Sequence, residues 1–179
     1  NDILSRYVIQ SLHKVYEATK IIWRFSMEIK ENTLPKLLRR MASEIPNVPA
    51  QYSKDKLGKF QEILYKEVYE IAKNFAGGLV DLGIKRGDHI GLISDNRKEW
   101  FQADMGLMAI GAIDVPRGCD ATEHDLRYIL SFAECKTVIA ENSNQVKKIM
   151  NLKADLPLLQ RFICFEDVKE DVLLQLKEN

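Results

Sequence analysis

The sequence predicts a three-layer α/β domain, a mainly parallel sheet flanked by helices. From Leu64 onward, short apolar runs of strand length alternate with segments of helical period. Each helical segment is long enough for a crossover that sets successive strands parallel with right-handed connections. The strand runs are apolar throughout, as in sheets covered on both faces.

Ahead of that domain, Ile3, Leu4, Val8, Leu12, Val15, Ile22 and Phe25 form a helical stripe, with Lys14, Lys20 and Arg24 between them. This predicts an N-terminal amphipathic helix, with residues 1–32 as a helical extension. Such a helix could lie in a membrane interface, but docking on its own domain or on a partner chain is the preferred reading. Pro46 and Pro49 break the pattern and predict an irregular connection ending near Phe60.

Val68, Ile71, Ala72, Phe75, Leu79 and Leu82 then recur at helical spacing, and Gly83 stops the helix. Gly77 and Gly78 inside it each cost about 1 kcal/mol relative to Ala. They predict a close backbone approach to the sheet. A turn at residues 85–88 leads into a strand at 89–93. Ser94, Asp95 and Asn96 supply oxygens suited to capping the next helix. That helix, residues 98–110, has Trp100, Ala103, Leu107 and Ile110 on one face and Phe101, Met105 and Met108 elsewhere, so it is covered on more than one side. Residues 112–116 form the second strand. Thr122 with Asp125 three positions on reads as a capping box, and Leu126, Ile129, Leu130 and Ala133 face inward. Strands at 136–140 and 161–165 bracket a weaker helix near 145–151. An amphipathic tail carries Val172, Leu173 and Leu176.

With 179 residues and 46% of them hydrophobic, the chain has enough apolar material for one domain core. Its 26 Lys+Arg balance 26 Asp+Glu, giving a formal net charge of zero and arguing against a general nucleic-acid binder. The longest unbroken apolar stretch, residues 105–113, falls short of the ~20 a membrane span needs. Asp2, Arg6, His13 and Lys14 interrupt the first apolar residues, so no secretory signal is expected. Cys119, Cys135 and Cys164 are odd in number and lack Cys-x-x-Cys spacing. They predict free thiols in a reducing cytoplasm.

Few residues carry candidate chemistry. Cys119, Asp120 and His124 are metal-ligating types close in sequence, but no second ligand pair exists, so a structural role is preferred. His13 and His89 have no visible base or nucleophile partner. Ser94 lies in no Gly-x-Ser-x-Gly elbow. Cys119 would be reactive if a cation such as Arg117 lowered its pKa. Gly77, Gly78 and Gly83 lie inside and after a helix, where they cannot form a dinucleotide loop. Ligands of open parallel sheets sit beyond the carboxyl ends of the strands. Here those ends carry residues 94–97, 117–122 and 141–143. Arg97 and Arg117 could face an anion there, or pair locally with Glu99 or Asp120, the preferred reading.

The run from Arg86 through Gly87, Asp88, the strand, Ser94, Asn96, Arg97, Glu99 and Trp100 resembles the early segment of adenylate-forming acyl-CoA synthetases. Residues 109–116, 126–130 and 135–139 continue the likeness, and residues 33–38 match its usual entry. The Asn96-Arg97-x-Glu99-Trp100 form is most similar to the long-chain fatty acid branch. The resemblance implies that residues 33–179 are the N-terminal portion of an adenylation domain, truncated before its phosphate-binding loop. It implies a two-step reaction. A fatty acid carboxylate attacks the α-phosphate of ATP with magnesium, and coenzyme A then displaces AMP. It implies ATP, Mg2+ and coenzyme A for the full-length parent and none bound by this piece. No catalytic, cofactor-binding or metal-binding residue is carried over, because the family's phosphate loop and later motifs have no counterpart here. The expected partners are the remainder of the polypeptide and a fatty acid, but no nucleic acid. Peripheral membrane contact through the first helix and self-association through an apolar face of helix 98–110 are also expected. The expected location is the cytoplasm, peripheral at the inner membrane face. The alternative is a stand-alone α/β binding or interaction module without catalytic activity.

Overall fold

The structure is a computed structural model and describes residues 30–55 and 57–178. The chain divides into two units, Asn1–Asn32 and Thr33–Asn179. The helix expected over the first residues lies outside the described ones.

The second unit opens with α1 (Leu34–Glu44), followed by a hairpin of β1 (Pro49–Lys54) and β2 (Phe60–Leu64). Then come α2 (Tyr65–Asp81), β3 (His89–Ile93), α3 (Lys98–Ile110), β4 (Ile113–Arg117), α4 (Glu123–Phe132), β5 (Thr137–Ala140), α5 (Ser143–Met150), β6 (Arg161–Cys164) and α6 (Glu170–Glu178). Four strands form a parallel sheet in the order β4-β3-β5-β6. The three layers are those the periodicity predicts. Right-handed crossovers send α3 to one face and α4 and α5 to the other, because the chain reverses direction across the sheet after β4.

Successive strand residues sort to opposite faces. Ile90, Leu92 and Ile139 pack with Leu79, Ala103 and Leu107 under α2 and α3. Ile93 and Val138 pack with Leu126, Leu130, Ile149 and Leu152 under α4 and α5. Each such large aliphatic side chain contributes about 1.5–3 kcal/mol when fully buried. A third cluster joins Leu38 of α1 to Val68, Ala72 and Met105, with Ala50 and Ile63 of the hairpin against it.

Helix ends follow their sequence signals. Gly83, at φ +82°, closes α2 in a Schellman motif, with Ile84 N–H on Leu79 O at 3.0 Å and Gly83 N–H on Val80 O at 2.8 Å. Thr122 caps α4 as expected: its hydroxyl oxygen accepts from Asp125 N–H at 3.2 Å, and the Asp125 carboxylate accepts from Thr122 N–H at 3.0 Å.

Four expectations need correction. The segment after Pro49 is an antiparallel hairpin, not an irregular connection. Its turn is held by Asp55, whose carboxylate accepts from Leu57 N–H and Lys59 N–H, both at 2.9 Å. Gly77 and Gly78 make no close approach among the described residues, where a Cβ on either would meet no atom within 4 Å. Close approaches between packed elements are instead found at Gly106, where a Cβ would lie 3.1 Å from Ala72 O and 2.9 Å from Phe75, and at Gly91, 2.7 Å from Leu130. Ser94, Asp95 and Asn96 do not cap α3, whose N-cap is Arg97. Finally, α3 presents no bare apolar face, because Gln102 through Leu107 are all buried between α2, the sheet and the hairpin cluster.

Candidate functional site

The switch point of this strand order lies between β3 and β5, whose crossovers leave on opposite faces. Beyond its carboxyl end sit the loops following β3, β4 and β5. Backbone bonds extend the ladder into them: Glu141 N–H donates to Ile93 O at 2.9 Å and Ser94 N–H to Arg117 O at 3.0 Å.

A carboxylate occupies the centre. One oxygen of Glu141 accepts from Ser94 Oγ at 3.0 Å and from Asp95 N–H at 2.9 Å. Asp95 in turn accepts from Cys119 N–H at 2.9 Å. The Cys119 carbonyl accepts from Lys148 Nζ at 2.9 Å and Gln145 Nε2 at 3.4 Å, and Lys148 also reaches Ala121 O at 2.9 Å. Asn142 caps α5 by accepting from Asn144 N–H at 3.0 Å. Three loops are thus tied together at the strand ends.

Ligand atoms of Asp95, Cys119 and Glu141 lie within 4.8 Å of one another, so among the described residues this trio could hold a cation. His124, the expected neighbour of Cys119, is instead 86% exposed beside Asp125. Nor is Cys119 activated. Burial pushes its thiol up to about 11, with the charges of Glu141 and Asp95 pushing the same way. The groups acting on it are carboxylates rather than the cation that reactivity would require, and they disfavour the nucleophilic thiolate.

Of the two arginines, Arg97 pairs locally. It binds Glu99 at 2.7 Å and Glu166 at 2.8 Å, and its guanidinium lies over the Phe165 ring at 5.9 Å. The Glu99 bond, chiefly, holds it protonated at any accessible pH. Burial of Glu99 favours its neutral form, but Arg97 outweighs this and keeps the carboxylate below its usual range. Arg117 is exposed and acts electrostatically on Asp125 rather than joining the centre. Spacing gave no signal for Glu166 or Lys148, and Glu141 was marked only by following a strand.

Phosphate binding requires convergent cations and free backbone donors. Among the described residues at this edge, Arg97 is committed to carboxylates and Lys148 to carbonyls, while the centre carries negative charge.

The sequence model of the AMP-binding enzyme family matches residues 38–178. A long-chain-fatty-acid–CoA ligase of Xenopus laevis is 28% identical over 109 residues, covering 61% of this chain and 15% of that protein. A long chain acyl-CoA synthetase of Arabidopsis thaliana is 32% identical over 122 residues, covering 68% of this chain and 17% of that protein. The chain therefore spans less than a fifth of these relatives' lengths. The solved N-terminal domain of FACL13 from Mycobacterium tuberculosis shares the fold, with a TM-score of 0.66 at 22% identity, covering 83% of this chain and 36% of that one. Matched by that family model over residues 38–178, more than half of its length, the chain belongs to the AMP-binding enzyme family.

Proposed function

We propose that this chain is the N-terminal part of a long-chain fatty acid–CoA ligase and serves as scaffold for its adenylation domain. The family match over residues 38–178 carries this reading, together with relatives named as long-chain ligases of which the chain spans 15–17%. The complete enzyme would form an acyl-adenylate from ATP and a fatty acid, with magnesium, and then transfer the acyl group to coenzyme A. The described residues contribute rigidity: Glu141 and Lys148 lock the strand-end loops against which further polypeptide would complete the site. Three free cysteines suit a cytoplasmic setting.

Fatty-acid-dependent exchange between ATP and labelled pyrophosphate tests the reading. The 179-residue chain is expected to give none. A chain extended through the following reading frame to the length of the relatives is expected to exchange. Exchange by the short chain, or none by the long one, would overturn the proposal.

A further inference from the structure

The loops beyond β3, β4 and β5 draw carboxylates together around one thiol. Asp95, Cys119 and Glu141 place ligand atoms within 4.8 Å of one another. Asp120 leans towards the same place. A Cβ on Gly118 would lie 2.7 Å from Asp120 Oδ1 and 3.4 Å from Asp95 Oδ1, so glycine leaves room for both. The ammonium of Lys148 is engaged by the carbonyls of Cys119 and Ala121. Hydrogen bonds orient the two carboxylates of the trio. Asp95 Oδ1 accepts from Cys119 N–H, and Glu141 Oε2 accepts from Ser94 Oγ and Asp95 N–H. Glu141 Oε1 has only a long bond, 3.3 Å, from Asn142 Nδ2. Bonds of this kind fix the direction of a metal ligand and leave its second oxygen to the metal. Gln145, in the first turn of α5, supplies a separate observation. It is 8% exposed, and its Nε2 reaches across to the Cys119 carbonyl at 3.4 Å. The other end of that amide, Oε1, is buried and finds no donor among the described residues. A buried acceptor held against the cluster without a donor calls for one that the protein itself does not provide.

We propose that Asp95, Cys119 and Glu141 bind a zinc ion whose fourth ligand is a water that donates to Gln145 Oε1. One thiolate and two carboxylates suit zinc, which in open sites takes three protein ligands and a water. Magnesium and calcium take oxygen ligands, so the thiol selects against them. On binding, the Cys119 S–H bond breaks, a sulfur–zinc bond forms, and the proton passes to the buffer. The carboxylates that hold this thiol protonated in the free chain become ligands of the ion that displaces its proton. The site lies within the described residues and is independent of the proposed ligase activity.

Cobalt(II) is the probe, because it takes zinc's place and reports a thiolate ligand by a charge-transfer absorption band. The 179-residue chain, reduced and stripped of metal, is titrated with cobalt and then with zinc. A saturable band is expected, bleached by zinc and unaffected by excess magnesium. Cys119→Ser should abolish it, while Cys135→Ser and Cys164→Ser keep it. Asp95→Asn with Glu141→Gln preserves the shape of both side chains and should weaken binding by more than about tenfold. Gln145→Leu, which removes only the acceptor for the water, should weaken it about tenfold. Circular dichroism of each variant separates loss of the metal from loss of the fold. No band, a band that survives Cys119→Ser, cobalt that zinc does not displace, or full affinity in the folded Asp95/Glu141 variant would overturn the proposal.

Discussion

Glu141 accepts a hydrogen bond from the Ser94 hydroxyl at 3.0 Å, joining the ends of neighbouring strands across 47 positions of sequence. The same oxygen holds Asp95 N–H. Glu141→Ala takes the acceptor from Asp95 N–H and one of two acceptors from Ser94. We predict a loss of about 1–3 kcal/mol, measured by urea denaturation. No loss would mean that water replaces the tie freely.

Charge and hydrogen bonding separate in Glu141→Gln, which keeps an acceptor oxygen. Burial alone leaves the Cys119 thiol raised, but removing the Glu141 charge should bring its midpoint down from about 11. The alkylation rate of Cys119 against pH, resolved by mass spectrometry, reads this directly. An unmoved midpoint would show that Glu141 does not act on the thiol.

Asp104 is buried, and its Oδ1 finds no hydrogen-bond partner among the described residues. Burial, with the charge of Asp114 adding to it, raises its carboxyl from 3.8 to about 6. The folded state therefore binds this proton more tightly than the unfolded chain. Its contribution is most favourable below about pH 4 and is lost as pH rises to about 6, by about 3 kcal/mol in all. Asp104→Asn should be more stable than the parent above about pH 6, with a smaller decline between about pH 4 and 6. Urea denaturation across that range checks it. A less stable variant at neutral pH would contradict the assignment.

Two glycine substitutions should act in opposite directions. Gly106→Ala drives a methyl towards Ala72 O and Phe75, which predicts a loss of about 1–3 kcal/mol as α2 and α3 move apart. Gly78→Ala adds a methyl into open space within a helix and should gain about 0.5–1 kcal/mol. Thermal or urea unfolding of both variants decides it, and a stabilising Gly106→Ala would be inconsistent with the packing.

Sequence pattern anticipated the elements whose signals are local. Apolar runs mark β3 through β6, Gly83 ends α2, and Thr122 with Asp125 starts α4. What it missed depends on distant partners. The hairpin packs two apolar side chains, Ala50 and Ile63, on the core cluster, too few for a visible alternation, and the inward Gln51 that bonds Gln102 reads as polar. Ser94 and Asp95 have the chemistry of helix caps, but a carboxylate 46 or 47 positions away takes their donors. Glycine has no pattern that separates an open site such as Gly78 from a crossing such as Gly106. Arg97 was read correctly towards Glu99, whereas its second partner, Glu166, lies 69 positions on.

Calorimetric titration of the 179-residue chain with magnesium ATP addresses the acid-centred strand edge directly. With Glu141 and Asp95 at the switch point and Arg97 and Lys148 engaged elsewhere, no saturable heat is expected. Stoichiometric, saturable binding would show that these residues do grip a triphosphate.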